Sequence, residues 1–474
     1  MTTDHTRLFD FDRFTAAIDQ NRELVRQFAA HDAFRSAMVE ELELDEDFYR
    51  RPLRPEDLSF IKFTERVGAE TVARLPFLAT QRMLLCINEL QITRLPRDNS
   101  AGSFDEFARF YGDDSQVLGA RIRPFLENFA FDFLCRDRDS TGDVGGLVAR
   151  LNELLEAETA FGVKAFDHLA RAGYLDDGLR FALVQKWSLF PSKRVAIAKA
   201  AALGYFDAVA PSDWPRLSGD DSTARIASEI AARCDITKRE HSYWQFYLST
   251  SLAECNLLHA LASRPDRALA LCGAAFAAEA QWMAFGAALT HTQVIGGAMS
   301  EQSAAAVKVH LLARFERALA AIAERFGARG LLEVGKGLAA MRALAVSARS
   351  NLGDQLRWLA SVDKYRDIAQ AINTRIAAEC PDIDRETFVE PREMCSTTHV
   401  HDDHRLVVIE SGNMVFWGNL GMTLRLAPGE MVLVPEGRLH GSTIESDECT
   451  YHQPIIPDAW VRPLIDGLEP TVGA

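Results

Sequence analysis

The chain has 474 residues, too many for one ordinary domain, and 48% of them are apolar, enough to form substantial hydrophobic cores. Its formal charge of −15 is not offset by any basic block, which argues against nucleic acid and anionic membrane as partners. The eight cysteines are scattered and never form a C-x-x-C pair, so we expect reduced thiols rather than a disulfide framework. The N-terminus lacks the apolar core of a signal peptide and no apolar run approaches transmembrane length, so we expect a soluble, cytoplasmic protein.

Two helical regions are predicted before the chain changes character. Apolar residues recur at helical spacing up to about Phe133, and a polar segment with a glycine at residues 135–143 separates them from an alanine-rich block that runs to about Ala378. The length and periodicity of this second block favour a helical bundle. We assign residues 1–135 to a helical N-terminal domain and residues 136–385 to the bundle.

Alternation of apolar and polar residues begins after Asp384 and predicts short strands with close turns between them. The strands are predicted at residues 406–409, 414–417, 422–426 and 431–434. Many short strands with close turns are typical of a small β-barrel of the jelly-roll type. Residues 386–474 are therefore the third predicted domain, and the fold class is multidomain and mainly α with a C-terminal β-barrel.

Three histidines of the third region have the spacing of a metal site. His399 and His401 are two residues apart, so on a strand both imidazoles point to one face. Residues 429–440 have the form G-x5-P-x-G-x2-H, which brings a third imidazole, His440, to the end of a short strand after a Pro/Gly turn. In this order the two halves form the metal-binding motif of a cupin. Three imidazoles converging inside a small barrel suit a first-row divalent ion; the alternative is a metal-free cupin in which hydrogen bonds hold these rings.

Many cupins add a glutamate ligand four or five residues after the second histidine, where this chain has Arg405 and Leu406. His404 is a possible extra ligand, although its strand parity is opposite to that of His401, which favours a solvated turn residue. Three neutral imidazoles would leave the ion its full charge and up to three open positions, which favours an anionic bidentate substrate with O2 beside it. The imidazoles alone do not choose between iron, nickel, cobalt and zinc, and iron is preferred only if the chemistry is oxidative.

Four further side chains near the histidines are candidates for orienting a substrate or tuning the metal. Arg438 and Glu445 have a surface ion pair as their alternative interpretation. Tyr451 lies on the last strands, where it is either a core aromatic residue or a site residue. Arg405 completes the set.

Several longer strings carry a family resemblance. They are Val389–Arg392, Thr398–Asp402, Arg438–Gly441, Ile444–Cys449, Arg121–Pro124 and Tyr243–Leu248. On these strings the chain resembles, over most of its length, the family of the N-nitrosourea synthase of streptozotocin biosynthesis. The resemblance implies a helical dimerisation domain, a haem-oxygenase-like bundle and a C-terminal cupin, and hence a homodimer through the N-terminal helices. In that family a di-iron site in the bundle N-hydroxylates an arginine-type guanidine, and iron on three cupin histidines then rearranges the product oxidatively to form an N–N bond. His399, His401 and His440 match the cupin ligand positions.

The bundle departs from the pattern that this resemblance implies. Near Gln185, where a ligand glutamate is expected, the chain continues with residues 191–194, Pro-Ser-Lys-Arg, and residues 219–241 lack the family's Glu-x9-His. Glu279 remains, but residues 300–308 replace an acidic, histidine-rich helix and end in a lysine. The central histidines show no i, i+3 or i, i+4 pairing; they are His168, His241, His259, His291 and His310. We therefore predict a bundle that has kept its shape and has no di-iron site.

These observations lead to one hypothesis with two competitors. The hypothesis is an enzyme with one mononuclear Fe(II) site in the cupin, which uses O2 to rearrange an N-hydroxylated, arginine-like guanidine to an N-nitroso or diazeniumdiolate product in specialised metabolism. A separate upstream N-hydroxylase would supply the substrate. The competitors are a three-histidine iron dioxygenase of a thiol or a diketone, and a non-catalytic binding or scaffold protein.

Overall fold

The computed structural model of the chain describes residues 7–31, 33, 35–36, 50–51, 62–96, 98–135, 142–209, 221–237, 243–292, 301–392, 394, 396, 398–418, 420 and 422–466. Most of the separator predicted at residues 135–143, and His241, lie outside these residues. The helices before residue 380 are α1 (Ile18–Ala29), α2 (Leu75–Glu89), α3 (Ala101–Phe110), α4 (Asp113–Phe131), α5 (Val144–Ala172), α6 (Leu175–Lys186), α7 (Phe190–Ala202), α8 (Asp221–Arg233), α9 (Ser249–Ala262), α10 (Ala268–His291), α11 (Glu301–Ala360) and α12 (Val362–Glu379). Short 3₁₀ helices lie at Phe11–Ala17, Ala69–Thr71, Asp132–Cys135, Trp244–Phe246 and Pro265–Arg267, and β1 (Arg35–Ser36) pairs in parallel with β2 (Arg50–Arg51).

Local sequence sets the ends of the long helix α5. The side chain of Asp143 accepts a hydrogen bond from the Gly146 amide and caps the N-terminus. Gly173 ends the helix with a φ of 81°, a conformation that suits glycine because it has no Cβ. Between these ends, leucines at helical spacing are buried, so α5 packs one apolar face against α10 and α11.

Helix α10 is the centre of the bundle. With the turn before it, the segment Pro265–His291 is long and apolar enough to cross a membrane by length and composition, so our statement that no apolar run approaches that length was wrong. In its most apolar window, 83% of the residues are buried inside the bundle. Such burial is typical of a core helix, whose whole circumference contacts other helices. Its neighbours include α5, α8, α9 and α11, of which α11 is broken at Gly327.

The described C-terminal residues form two antiparallel sheets and a last helix. The strands are β3 (Thr387–Pro391), β4 (His404–Ser411), β5 (Met414–Trp417), β6 (Thr423–Leu426), β7 (Met431–Val434), β8 (Gly441–Ile444), β9 (Glu448–His452) and β10 (Ile455–Ile456), followed by α13 (Asp458–Asp466). One sheet has the order β10-β4-β9-β3 with β7 also paired to β4, and the other has the order β6-β5-β8. The prediction of a mainly helical protein with a C-terminal, cupin-like β domain is confirmed.

The hydrophobic cores cross the three predicted regions. One core joins Phe11, Phe77 and Phe129 of the N-terminal helices to α9, α10 and α11. The second core joins α6, α8 and α12 to the β domain, where Val432 and Phe416 pack in the same cluster as Trp358 of α11. The β domain therefore shares buried surface with the helices. The domain boundaries after residues 135 and 385 remain predictions.

Candidate metal centre

Strand pairing brings the two halves of the histidine motif together. His399 and His440 form an isolated antiparallel bridge, in which each backbone amide donates to the carbonyl of the other residue at 2.9 and 3.1 Å. The Gly437 amide donates to the His401 carbonyl at 2.9 Å and ties the Pro/Gly turn to the first half. Gly437 has a φ of 73°, which explains why the turn before His440 requires glycine.

The three imidazoles converge as the spacing predicts. The ring centroids of His399, His401 and His440 are 4.5 to 5.0 Å apart. One ring nitrogen from each residue lies within 4.8 Å of the others, a separation that allows all three to bind one ion. Among the described residues this is the one group of three or more histidine, cysteine or acidic side chains close enough to share a metal ion.

The protonation of the triad suits metal binding. Nδ1 of His440 donates to the Arg438 carbonyl at 2.8 Å, so Nε2 presents its lone pair. Nε2 of His440 and Nε2 of His401 are both buried and have no hydrogen-bond partner among the described residues. Burial, together with the neighbouring histidines, holds the pKa of both rings well below the usual value, so they are neutral at physiological pH. Two buried lone pairs without a donor fit a bound divalent ion, because a metal would satisfy both.

Side chains from the helices hold the backbone on either side of the triad. Gln355 of α11, which is fully buried, donates to the carbonyls of Gly418 and Leu439 at 2.6 and 2.9 Å and accepts from the Leu439 amide at 3.1 Å. Leu439 directly precedes His440. On the other side, Arg82 of α2 donates to the Thr398 carbonyl at 2.8 Å, next to His399. The helical part therefore sets the positions from which two of the three imidazoles project.

Aromatic packing fixes the plane of the His440 ring. Phe416 stacks on it with a centroid distance of 5.4 Å, and Trp358 of α11 packs edge-on against Phe416 at 6.1 Å. Sequence reasoning missed Gln355, Arg82 and Trp358. Their partners lie far away along the chain, up to 316 residues for Arg82, so no local spacing could reveal them.

The structure gives His404 two other partners. Its Nδ1 accepts from the Glu436 amide at 3.0 Å, and its Nε2 lies 3.1 Å from Asp458. Binding a metal would require this ring to give up one of these contacts. Arg405, beside it, forms ion pairs with Asp403 and Glu386.

The remaining substrate-orienting candidates also contact other side chains of the protein. Arg438 pairs with Asp354 of α11 at 3.0 Å, and Glu445 pairs with Arg425 at 3.1 Å. Tyr451 is buried and stacks on Phe388 at 5.3 Å; burial and the charge of Glu390 raise the pKa of its hydroxyl. The roles of these side chains toward a substrate remain predictions.

In the bundle, cationic side chains hold the buried carboxylates. Glu279 pairs with Arg314 at 2.7 Å, and both are almost fully buried. Glu254 lies 2.7 Å from both Lys186 and Lys193. Burial by itself raises the pKa of Glu254, but the two lysines lower it to about 2, so this carboxylate is charged. Lys193 belongs to the residues that depart from the family pattern; that the bundle has no di-iron site remains a prediction.

Together, the fold and the triad define a mainly helical protein with a C-terminal, cupin-like β domain that carries a three-histidine candidate metal site. No family model matches the chain. The chain is 28% identical over 424 residues to the nitrosourea synthase of Streptomyces achromogenes subsp. streptozoticus, an alignment that covers 85% of this chain and 88% of that protein. The two chains are related at the family level, as the sequence motifs predict.

Proposed function

We propose that this protein is a mononuclear iron enzyme that forms an N–N bond in specialised metabolism. The observation that carries the proposal is the pair of buried Nε2 atoms, on His401 and His440, that have no hydrogen-bond partner among the described residues and lie beside His399. The relationship to a nitrosourea synthase supports N–N bond formation as the reaction class. We propose an N-hydroxylated, arginine-like guanidine as substrate and an N-nitroso or diazeniumdiolate compound as product.

His399, His401 and His440 would hold Fe(II), which would supply the O2-dependent oxidation that no protein side chain performs alone. The chain's own residues orient and shield the site. The Arg438 carbonyl fixes the tautomer of His440, and Phe416 fixes its ring plane. An N-hydroxyguanidine offers one oxygen and one nitrogen, a bidentate pair that suits a site with adjacent open positions.

We also propose that a separate enzyme performs the N-hydroxylation. Metals in the bundle would need free carboxylates, and cationic side chains pair with Glu254 and Glu279. The substrate would then arrive already hydroxylated.

Elemental analysis after anaerobic loading tests the metal. We expect about one iron per chain, its loss in His401→Ala and its retention in His404→Ala, because the His404 ring nitrogens bond elsewhere. His404→Ala is a matched control, since it removes an imidazole from the same domain. Protein that binds no iron would support a scaffold role, and loss of iron from both variants would contradict the assignment of ligands.

Product analysis tests the reaction. Fe(II)-loaded protein is incubated with N-hydroxyarginines under O2, and mass spectrometry should detect an N–N-bonded product that His401→Ala protein does not form. Oxygen uptake across a panel of thiols and diketones is the comparison. Oxygen uptake with a thiol or a diketone, and none with the N-hydroxyarginines, would support the dioxygenase alternative and contradict our proposal.

We further propose a homodimer through the N-terminal helices. Phe104 of α3 and Val117 of α4 are large apolar side chains that are more than half exposed, as expected of surface that a second copy would cover. Sedimentation should show a dimer, which Phe104→Lys with Val117→Lys converts to a monomer. A wild-type monomer would contradict the proposal. The cytoplasmic location and the absence of nucleic-acid and membrane partners remain predictions.

A further inference from the structure

Two cavities lie inside the helical bundle, away from the histidine triad. Both are partly open to solvent; the first comprises about 440 Å³ and the second about 580 Å³ of space outside protein atoms, and both volumes include open solvent. Lys186 and Gln281 line both cavities and so form a shared wall.

The charges that line the first cavity do not balance. Lys186, Lys193 and Arg194 face it, against Glu254 and Glu279. Glu279 is already neutralised by Arg314, which lies outside the lining. Arg194 is exposed, so two largely buried lysines, Lys186 and Lys193, remain for one carboxylate, Glu254, whose two oxygens each receive one lysine. Buried positive charge in excess is costly unless an anion accompanies it.

Two buried donors in the same lining also lack acceptors. The amide Nε2 of Gln281 and the indole Nε1 of Trp282 have no hydrogen-bond partner among the described residues, although the two side chains are only 4% and 5% exposed. An amide NH₂, an indole N–H and an ammonium group all donate hydrogen bonds. An acceptor that carries negative charge would satisfy these two donors and also balance the second lysine.

The rest of the lining is apolar. Phe190 stacks on Trp282 with a centroid distance of 4.1 Å and an interplanar angle of 6°, and Ile197 and Leu258 lie in the same lining. A ligand with a planar or apolar body would bury that surface. A bare inorganic anion would leave it unfilled.

We propose that the bundle contains a metal-free binding site for a small organic carboxylate, between α6, α7, α9 and α10. The carboxylate would accept from Lys193, Gln281 and Trp282, and its apolar body would lie against the Phe190–Trp282 pair. This site does not depend on the function proposed for the triad. The organic anion would bind in the bundle beside Glu254, whose neighbours are Lys186 and Lys193.

Calorimetry on the metal-free full chain tests the site, with benzoate, acetate, the neutral benzamide and chloride as probes. We expect benzoate to bind with a dissociation constant below about 1 mM, acetate to bind more weakly, and benzamide and chloride not to bind measurably. Because the protein is metal-free, an ion bound to the triad cannot contribute to the measured binding of the anion. No saturable binding of benzoate, or equal binding of benzamide or chloride, would overturn the proposal.

Two variants test the location of the site. A third variant, on α7 like Lys193, is the control. Lys193→Met leaves Lys186 and Glu254 as a neutral pair and should weaken benzoate binding at least about tenfold. Gln281→Leu removes the donor that lacks a partner, together with the acceptor of a long, 3.5 Å hydrogen bond from Lys186, and should weaken binding several-fold. Lys199→Met should leave binding unchanged, because Lys199 bonds to Gln91 and lines neither cavity. Unchanged affinity in Lys193→Met, or two iron ions bound to His401→Ala protein, would also overturn the proposal.

Discussion

His401 and His440 each bury a ring nitrogen that has no hydrogen-bond partner among the described residues. A buried polar atom left in this state costs about 1–3 kcal/mol, so the triad destabilises the metal-free protein. Binding an ion would remove this cost and add the free energy of ligand binding. The spacing of the motif predicted which rings meet, because strand parity and the Pro/Gly turn act over short distances.

A divalent ion should therefore stabilise the fold through the triad. At 100 times its dissociation constant it should add about 2.7 kcal/mol to the free energy of unfolding. Thermal unfolding with Zn(II) as a redox-inert probe measures the effect, which His401→Ala should abolish and His404→Ala should retain. An equal rise in melting temperature for both variants would place the ion elsewhere.

His259 should make stability depend on pH. It is buried beside Ser192, and burial is the main cause that lowers the pKa of its ring to about 4. Between about pH 6.5 and 4 the unfolded chain binds a proton that the folded chain does not, so stability should fall as pH falls, by up to about 1.4 kcal/mol per pH unit. Urea unfolding of wild type and His259→Gln across this range checks the slope.

Measurement at pH 7.5 separates the packing cost of His259→Gln from the proton effect. The variant should start less stable there and then lose less stability on acidification. Parallel pH curves for the two proteins would show that this ring does not take up the proton in question.

Among the elements, the strands were more predictable than their attachment to the helices. The alternation predicted β5 and β7 with the observed ends, because each strand buries one or both faces locally. Gln355, by contrast, lies in the middle of α11 and bonds to Gly418 and Leu439, 63 and 84 residues away. A glutamine in a helix carries no signal of such a partner. The central bundle shows the same limit, since Lys186 and Glu254 meet only after folding.

Replacing Gln355 with leucine should disturb the triad from a distance. The change leaves two carbonyls and one amide of the β domain without their partner, which should cost about 2–3 kcal/mol of folding stability. His440 follows directly after Leu439, so iron content should also fall. Denaturant unfolding and elemental analysis check both effects.

Gln370→Leu on the exposed face of α12 is the matched control and should change neither quantity. Full iron content in a destabilised Gln355→Leu protein would show that the glutamine supports the fold without positioning the site.

Over the whole molecule, one hydrophobic core spans α6, α8, α12 and the β domain. Composition and periodicity predicted three regions, and they correctly predicted the helical and β parts. They could not predict this shared core, because the apolar face of a helix does not identify its partner. Helix α10 shows the same limit, since only its burial in the bundle distinguishes it from a membrane-spanning segment.

Trp358 links helix α11 to the candidate metal site, and replacing it tests that link. It is fully buried and packs on Phe416, which stacks on His440. Trp358→Ala should lower the free energy of unfolding by about 3–5 kcal/mol and reduce iron content, because a cavity would open behind Phe416.

Trp460→Ala is the control, since Trp460 of α13 is partly exposed and packs under Arg375 of α12. It should retain the iron and lose less stability. Equal iron loss in the two variants would argue against a specific link through Phe416.

The hydrogen bonds from Arg82 to Thr398 and from Gln355 to Leu439 have a consequence for protein engineering. A chimaera that transplants residues 386–474 onto a foreign scaffold would carry all three imidazoles, but it would leave Arg82, Gln355 and Trp358 behind. The graft would need new side chains at those three points before its rings could hold an ion as the parent protein does.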